Sequence, residues 1–317
     1  MRPSRLLAAA PPSLLAGTGI VSLQAGAGLA GRLFDVASPA ALTGLRLWSA
    51  AAVLAMLGWR GLRATLAFSR DRHDWAVVVC FGLVLAVMNF CIYQAFARIP
   101  LGIAVTIEFL GPLAVAVATS RRLTDLLWVA LAMTGVLLLS HGGAGGGSLP
   151  GTGSGLNLAG VIFALVSAAC WAGYIVLSAA TGRRFTGSTG LVIAMIVAAI
   201  AVTGPAVAAG GAALRRPAVL ATGVAVGLLS SVIPYRLELE ALRRIPARVF
   251  GIWMSLEPAV AALAGLVLLG QVLALPEWLA IVAVVAASAG ASATAGPRPV
   301  AQSGPAATAE ARRSYDE

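Results

Sequence analysis

Ten stretches of this 317-residue chain are apolar over about twenty residues each, at roughly 13–31, 40–59, 75–96, 101–119, 123–141, 156–181, 189–210, 217–242, 247–270 and 275–294. About twenty apolar residues let a helix cross the hydrocarbon core of a bilayer. With 59% hydrophobic and 11% charged residues the chain is too apolar for an ordinary soluble domain. The expected fold is an all-α, multi-pass membrane protein of ten transmembrane helices.

The chain also repeats itself. Ala95-Phe96-Ala97-Arg98-Ile99-Pro100 returns as Ala241-Leu242-Arg243-Arg244-Ile245-Pro246, and each copy is followed twelve residues later by a second proline, Pro112 and Pro258, at an offset of 146 throughout. Between the fifth and sixth apolar stretches lies an uncharged Gly/Ser-rich linker, 142–155. Five helices on each side of it give a first repeat at 13–141 and a second at 156–294. An odd number of spans per repeat forces the second to begin on the opposite side of the membrane, so the repeats are expected to be inverted. Residues 1–12 form a short N-terminal segment, and the Ala/Pro/Ser-rich residues 295–317 read as a disordered tail. Arg2 and Arg5 precede a short apolar run, but the Pro11-Pro12 break and the polytopic remainder favour a retained first helix over a cleaved signal.

A net charge of +10 invites a nucleic-acid reading, which the placement of the charge opposes. Every basic residue is Arg, and with the N-terminus inside, 16 of the 22 fall on the cytoplasmic side, 4 outside (Arg32, Arg98, Arg215, Arg216) and two, Arg46 and Arg236, within spans. That bias is the positive-inside pattern and puts both termini in the cytoplasm. Cys80, Cys91 and Cys170 lie within spans without metal or disulfide spacing, so packing suffices for them. Gly26-Ala27-Gly28-Leu29-Ala30-Gly31 fits the dinucleotide fingerprint, yet no strand precedes it and it lies inside an apolar span, where small residues let helices approach. His141 ends the fifth stretch alone and receives no role. No cofactor and no metal are expected.

Two carboxylates interrupt the apolar runs. Glu108 and Glu257 lie about eight and eleven residues into their stretches, which at about 1.5 Å per residue places both near the bilayer midplane. An acidic residue there costs about 2.5–3.5 kcal/mol, and such groups face a cavity or a partner. A structural ion pair or a protonated, hydrogen-bonded carboxyl is the alternative to a substrate or proton role. A proline at position i leaves the carbonyl at i−4 without its helical donor, so Pro112 frees the carbonyl of Glu108 and Pro258 that of Met254, the position equivalent to Glu108 under the offset. Such acceptors at matched depth suit an ammonium group. Asn89, Tyr93 and Gln94 in the third stretch, and Tyr235, Arg236, Glu238 and Glu240 in the eighth, are dense enough in polar groups to suggest a cavity. Arg236, Glu240 and Arg244 recur at i+4 and read as a structural ladder near the cytoplasmic end, leaving Glu238 available. Gln24, Trp171 and Tyr174 either line the path or pack and anchor the helices.

The residues that carry a family pattern are Ile99-Pro100-Leu101-Gly102-Ile103-Ala104-Val105, Glu108-Phe109-Leu110-Gly111-Pro112-Leu113-Ala114-Val115-Ala116 and Ser120-Arg121-Arg122 in the first half. In the second half they are Pro234-Tyr235, Glu238, Phe250-Gly251 and Met254-Ser255-Leu256-Glu257-Pro258-Ala259. Over roughly residues 15 to 294 the chain resembles the EamA branch of the drug/metabolite transporter superfamily, and within it the threonine/homoserine exporters of the RhtA type. The resemblance implies two inverted five-helix EamA repeats and amino-acid export across the cell membrane. Arg236, Glu240 and the length of the linker depart from the pattern.

The reading that follows is an inner-membrane secondary transporter that exports small amino acids of the threonine or homoserine type by alternating access, with proton antiport as the coupling. Export of another metabolite or of a drug-like cation is the alternative. An intramembrane enzyme would need a nucleophile–base pair or metal-ligand spacing that the sequence lacks, and a passive scaffold has no use for two midplane carboxylates. The partners expected are a small-molecule amino acid, the proton and the lipid bilayer, with no nucleic acid. A homodimer is compatible with the sequence and not required by it.

Overall fold

The computed structural model describes residues 10–67, 71–118, 125–141, 156–185, 187–242 and 244–294, and among these there is no strand. The linker 142–155, the tail 295–317, all but the end of the N-terminal segment and the arginines at 2, 5, 70, 121, 122, 243, 298, 312 and 313 lie outside the described residues. The helices are α1 (Pro12–Gly31), α2 (Pro39–Ala67), α3 (Arg72–Phe96), α4 (Leu101–Glu108), α5 (Leu110–Ala118), α6 (Asp125–His141), α7 (Leu158–Gly182), α8 (Thr189–Gly210), α9 (Pro217–Gly227), α10 (Ile233–Leu242), α11 (Ala247–Met254), α12 (Glu257–Leu269) and α13 (Leu275–Thr294).

Nine segments among the described residues are long and apolar enough to cross a membrane; α4 with α5, α9 with α10, and α11 with α12 each make one of them. The remaining expected span, 123–141, corresponds to α6, which has 17 described residues. α2 runs to Ala67, past the expected end at 59, because the chain stays helical where Arg60 and Arg63 turn outward and the Arg63 guanidinium rests 5.9 Å from the Trp59 ring centroid. Large apolar side chains also face outward, among them Met56 at 79%, Val267 at 75% and Ile200 at 69% exposure. In water that would be a liability, whereas in lipid it is the expected outer surface of a multi-pass membrane protein.

Contacts between the two sequence halves dominate the packing. α3 lies along α7 and α10 along α1, while α2 meets α8, α6 meets α13 and α4 meets α12. Close crossings use small residues. Gly26, first residue of the refused dinucleotide pattern, shows why: a Cβ there would lie 2.1 Å from Ser230 Oγ, and one at Gly28 would lie 2.6 Å from Leu268 Cδ1. Those glycines seat α1 against its neighbours.

Two of the spans break at the same place in the duplicated sequence. α4 and α11 are eight residues each and coincide at the offset of 146. Each follows a proline in the same extended conformation, Pro100 at φ −54°, ψ 142° and Pro246 at φ −56°, ψ 141°. The turns before them match as well, with Ile99 N–H donating to Ala95 at 2.9 Å and Ile245 N–H to Ala241 at 3.1 Å. α4 gives way to α5 at Phe109, and α11 to α12 at Ser255 and Leu256, just where the second prolines withhold their donors. A third irregularity separates α9 from α10: Leu228–Val232 is a π-helical turn.

Candidate functional site

The breaks and the π turn converge on a cavity of about 510 Å³, within the range of small-molecule sites. Gln24 of α1, Asn89 of α3, Glu108 and Pro112 of the first broken span, Trp171 and Tyr174 of α7, Tyr235 and Glu238 of α10, and Glu257 of α12 all line it. Glu108 and Glu257 therefore face one common space although 149 residues separate them in sequence. Tyr93 and Pro258 do not lie on the cavity surface. Tyr93 is fully buried and packs edge-on to Phe34, and Pro258 is buried in the first turn of α12.

Each glutamate has one neutral partner and keeps acceptor capacity in reserve. Glu108 closes α4, is 8% exposed, and its Oε1 accepts a hydrogen bond from Ser167 Oγ of α7 at 2.5 Å. Ser167 Oγ also lies 3.0 Å from the Met88 carbonyl, so its single proton is shared between two acceptors. Glu257 opens α12, is 3% exposed, and its Oε1 accepts from Gln24 Nε2 at 3.2 Å. Glu257 Oε2 and Gln24 Oε1 are buried with no partner among the described residues. Buried polar atoms are normally satisfied, and two orphans together on a cavity wall mark a place where a ligand would supply the missing donors. Asn89 Nδ2 donates to the Leu85 carbonyl at 2.8 Å. Trp171 is held edge-on to Phe109, with centroids 5.4 Å apart, and Tyr174 is tilted against Phe81 at 5.2 Å.

The glutamates are one helical turn out of register in the duplication, and the packing gives the reason. Position 257 corresponds to Gly111, where α5 crosses α7 so closely that a Cβ would lie 2.1 Å from the Ala168 carbonyl oxygen. No side chain fits there, and the carboxylate of the first half stands a turn earlier, at Glu108.

Sequence reasoning passed over the cation of the site. Arg46 of α2 lines the cavity and is 7% exposed. Its Nε donates to Ser231 Oγ at 3.1 Å and an Nη donates to the Ser230 carbonyl at 3.0 Å, both on the π turn, and its guanidinium lies 5.4 Å from the Tyr93 ring centroid. Pro234 follows the π turn and brings no N–H to its carbonyls; Ser22 Oγ donates to the Leu229 carbonyl at 2.8 Å and Arg46 to that of Ser230. The rule applied to Pro112 and Pro258 would have pointed to this turn, and a lone Arg in an otherwise uncharged stretch of α2 was a signal of the same kind as the glutamates. Ser167 carried no such mark in the sequence.

At one end of the bundle Arg32 Nε donates to the Leu268 carbonyl at 2.7 Å, and Gln271 Oε1 accepts the first amide of α4, Leu101 N–H, at 2.9 Å. At the other, Arg184 pairs with Asp74 at 3.1 Å, and Arg244 pairs with Glu240 and donates to the Ala10 carbonyl at 3.1 Å. Of the i+4 ladder expected on α10, the Glu240–Arg244 rung forms, while the Arg236 side chain is exposed.

A model of the EamA-like transporter family matches residues 158–293. The threonine/homoserine exporter RhtA of Salmonella typhimurium strain LT2 is 39% identical over 275 residues, 86% of this chain and 88% of that protein. RhtA of Escherichia coli K12 is 38% identical over 277 residues, covering 87% and 89%. A crystal structure 20% identical in sequence superposes with a TM-score of 0.61 over 90% of this chain and 97% of the other, which shows a common fold. Identity at this level over nearly the full length, with a family match across the second half, establishes that the chain belongs to the EamA-like transporter family.

Proposed function

We propose that the protein is a secondary transporter of the bacterial inner membrane that exports small amino acids of the threonine and homoserine type by alternating access, coupled to proton antiport. The observation that carries this reading is the single cavity faced by Glu108, Glu257 and both proline-broken spans. Unwound helix segments beside buried carboxylates are how many transporters hold a small charged cargo. A carboxylate that alternately holds a proton and an ammonium group exchanges one for the other, which is the logic of antiport. The 38–39% identical relatives are threonine/homoserine exporters, which supports the choice of cargo.

The architecture proposed is ten helices in two inverted five-helix repeats, 13–141 and 156–294, joined by 142–155, with both termini cytoplasmic. The matched eight-residue helices α4 and α11 and the reciprocal pairing of α3 with α7 and α1 with α10 support it.

Overexpression in a bacterium sensitive to excess threonine, followed by measurement of excreted threonine, homoserine and a panel of other metabolites, tests the function. Raised excretion of threonine or homoserine against an unchanged panel is the expected result. Three glutamates on the cavity lining favour cations, so selective excretion of an amine or a drug-like cation would replace the amino-acid reading.

A further inference from the structure

Arg46 shares the cavity with Glu108, Glu238 and Glu257, yet no acidic side chain of the described residues is in ion-pairing contact with it. A buried arginine in a span pairs with an acid or with backbone carbonyls. Here the guanidinium is held by neutral acceptors, the Ser230 carbonyl and Ser231 Oγ, and lies against Tyr93, which leaves the acids on the same cavity without a salt bridge to it. Three features converge on that restraint: the π turn that carries both serines, Pro234 after it, which brings no N–H to the turn's carbonyls, and the aromatic face beneath the guanidinium. Only Nε and one Nη are engaged, so the other Nη has no hydrogen-bond partner among the described residues, on a side chain that lines the cavity. Guanidinium and carboxylates thus line one cavity without pairing, each with capacity unspent, and that unpaired arrangement is complementary to a molecule carrying both charges.

We propose that Arg46 binds the carboxylate of a zwitterionic α-amino acid, and that the cargo lies across the cavity with its ammonium group toward Glu257, Glu108 and the carbonyls freed by Pro112 and Pro258. This assignment rests on the amino-acid reading of the cavity and adds to it a requirement that the glutamates alone do not impose: the cargo must bear a carboxylate. Amines of the same size without one are rejected, because they leave the guanidinium donors unfilled.

The test is exchange by the purified full-length protein in liposomes loaded with unlabelled L-threonine, reading uptake of labelled threonine and its inhibition by threonine and by 1-amino-2-propanol, which is threonine without its carboxylate. The wild type is expected to favour threonine by about tenfold or more, as for a charge-assisted contact. In Arg46→Gln that preference falls to about threefold or less, through weaker threonine binding together with inhibition by the amine that is at least as strong as in the wild type. Arg46→Lys, with a point charge instead of a fork, falls between them and serves if the glutamine variant does not fold. An unchanged preference in either folded variant overturns the assignment. So does equal weakening of both ligands, which would make Arg46 a structural counter-charge to the glutamates. Wild-type liposomes that exchange no amino acid of a broad panel overturn the transport reading and this assignment together; exchange by the wild type with an indifferent Arg46→Gln overturns this assignment alone.

Discussion

Glu108 and Glu257 are isolated in sequence but adjacent in purpose, and each is expected to tolerate loss of charge better than loss of shape. Glu108→Gln and Glu257→Gln keep the side-chain volume, and an amide can still accept from Ser167 or Gln24, so both variants should insert and accumulate normally. Transport should fall at least about tenfold, since a hydrogen bond to a charged group is worth about 1.5–3 kcal/mol. Flux must be measured beside protein abundance in the membrane: normal flux in both variants removes the carboxylates from the mechanism, and poor accumulation assigns them to stability. At this scale the sequence exposed the expensive residues and hid their company. A carboxylate in an apolar run is conspicuous because lipid cannot solvate it, whereas Ser167 is unremarkable in a helix until Glu108 is found 2.5 Å from it. Tyr93 shows the converse limit, since its polarity marked it for the path, while its bulk put it beneath Arg46 and off the cavity surface.

Helix breaks are cheap to read because a proline states which carbonyl it leaves bare. Pro112→Ala and Pro258→Ala should supply the missing N–H to the carbonyls of Glu108 and Met254 and straighten the spans. Each variant is expected to be at least as heat-stable in detergent as the wild type and to export more slowly. A thermal midpoint that drops with flux intact would make the prolines packing devices. The paired eight-residue helices α4 and α11 were legible in this way, down to their common offset. The π turn at Leu228–Val232 was not, because a wider turn is chosen by the neighbours that claim its freed groups, here Arg46 from α2, and leaves no composition of its own. The one-turn displacement between the glutamates was visible as a number, but its cause, the crossing of α5 and α7 at Gly111, is a contact between segments that no local pattern encodes.

For the molecule as a whole, apolar length and arginine placement carried most of the information, because a bilayer imposes both directly. They give a topology that labelling can check. With Cys80, Cys91 and Cys170 replaced, single cysteines at Arg63 and Arg216, both exposed, should react with an impermeant reagent from opposite sides of the membrane. Reaction from the same side would dismantle the inverted arrangement. What apolar length could not convey is which spans meet, and the cavity exists only because α1, α3 and α7 are brought against the broken helices of both halves. The displaced glutamates then set a limit on how this molecule can work. In a pair of identical inverted repeats, opening to one side is the mirror of opening to the other, and cargo is held equally tightly in both. Here Gly111 lies against the backbone of α7 where its counterpart is Glu257, and Glu108 stands where its counterpart is Met254. Exchanging the roles of the halves does not regenerate the same set of contacts, so under the proposed alternating access the two open states would hold cargo with unequal strength. One face of the membrane would thereby be built for loading and the other for letting go, with the crowding at a single glycine contributing to that polarity.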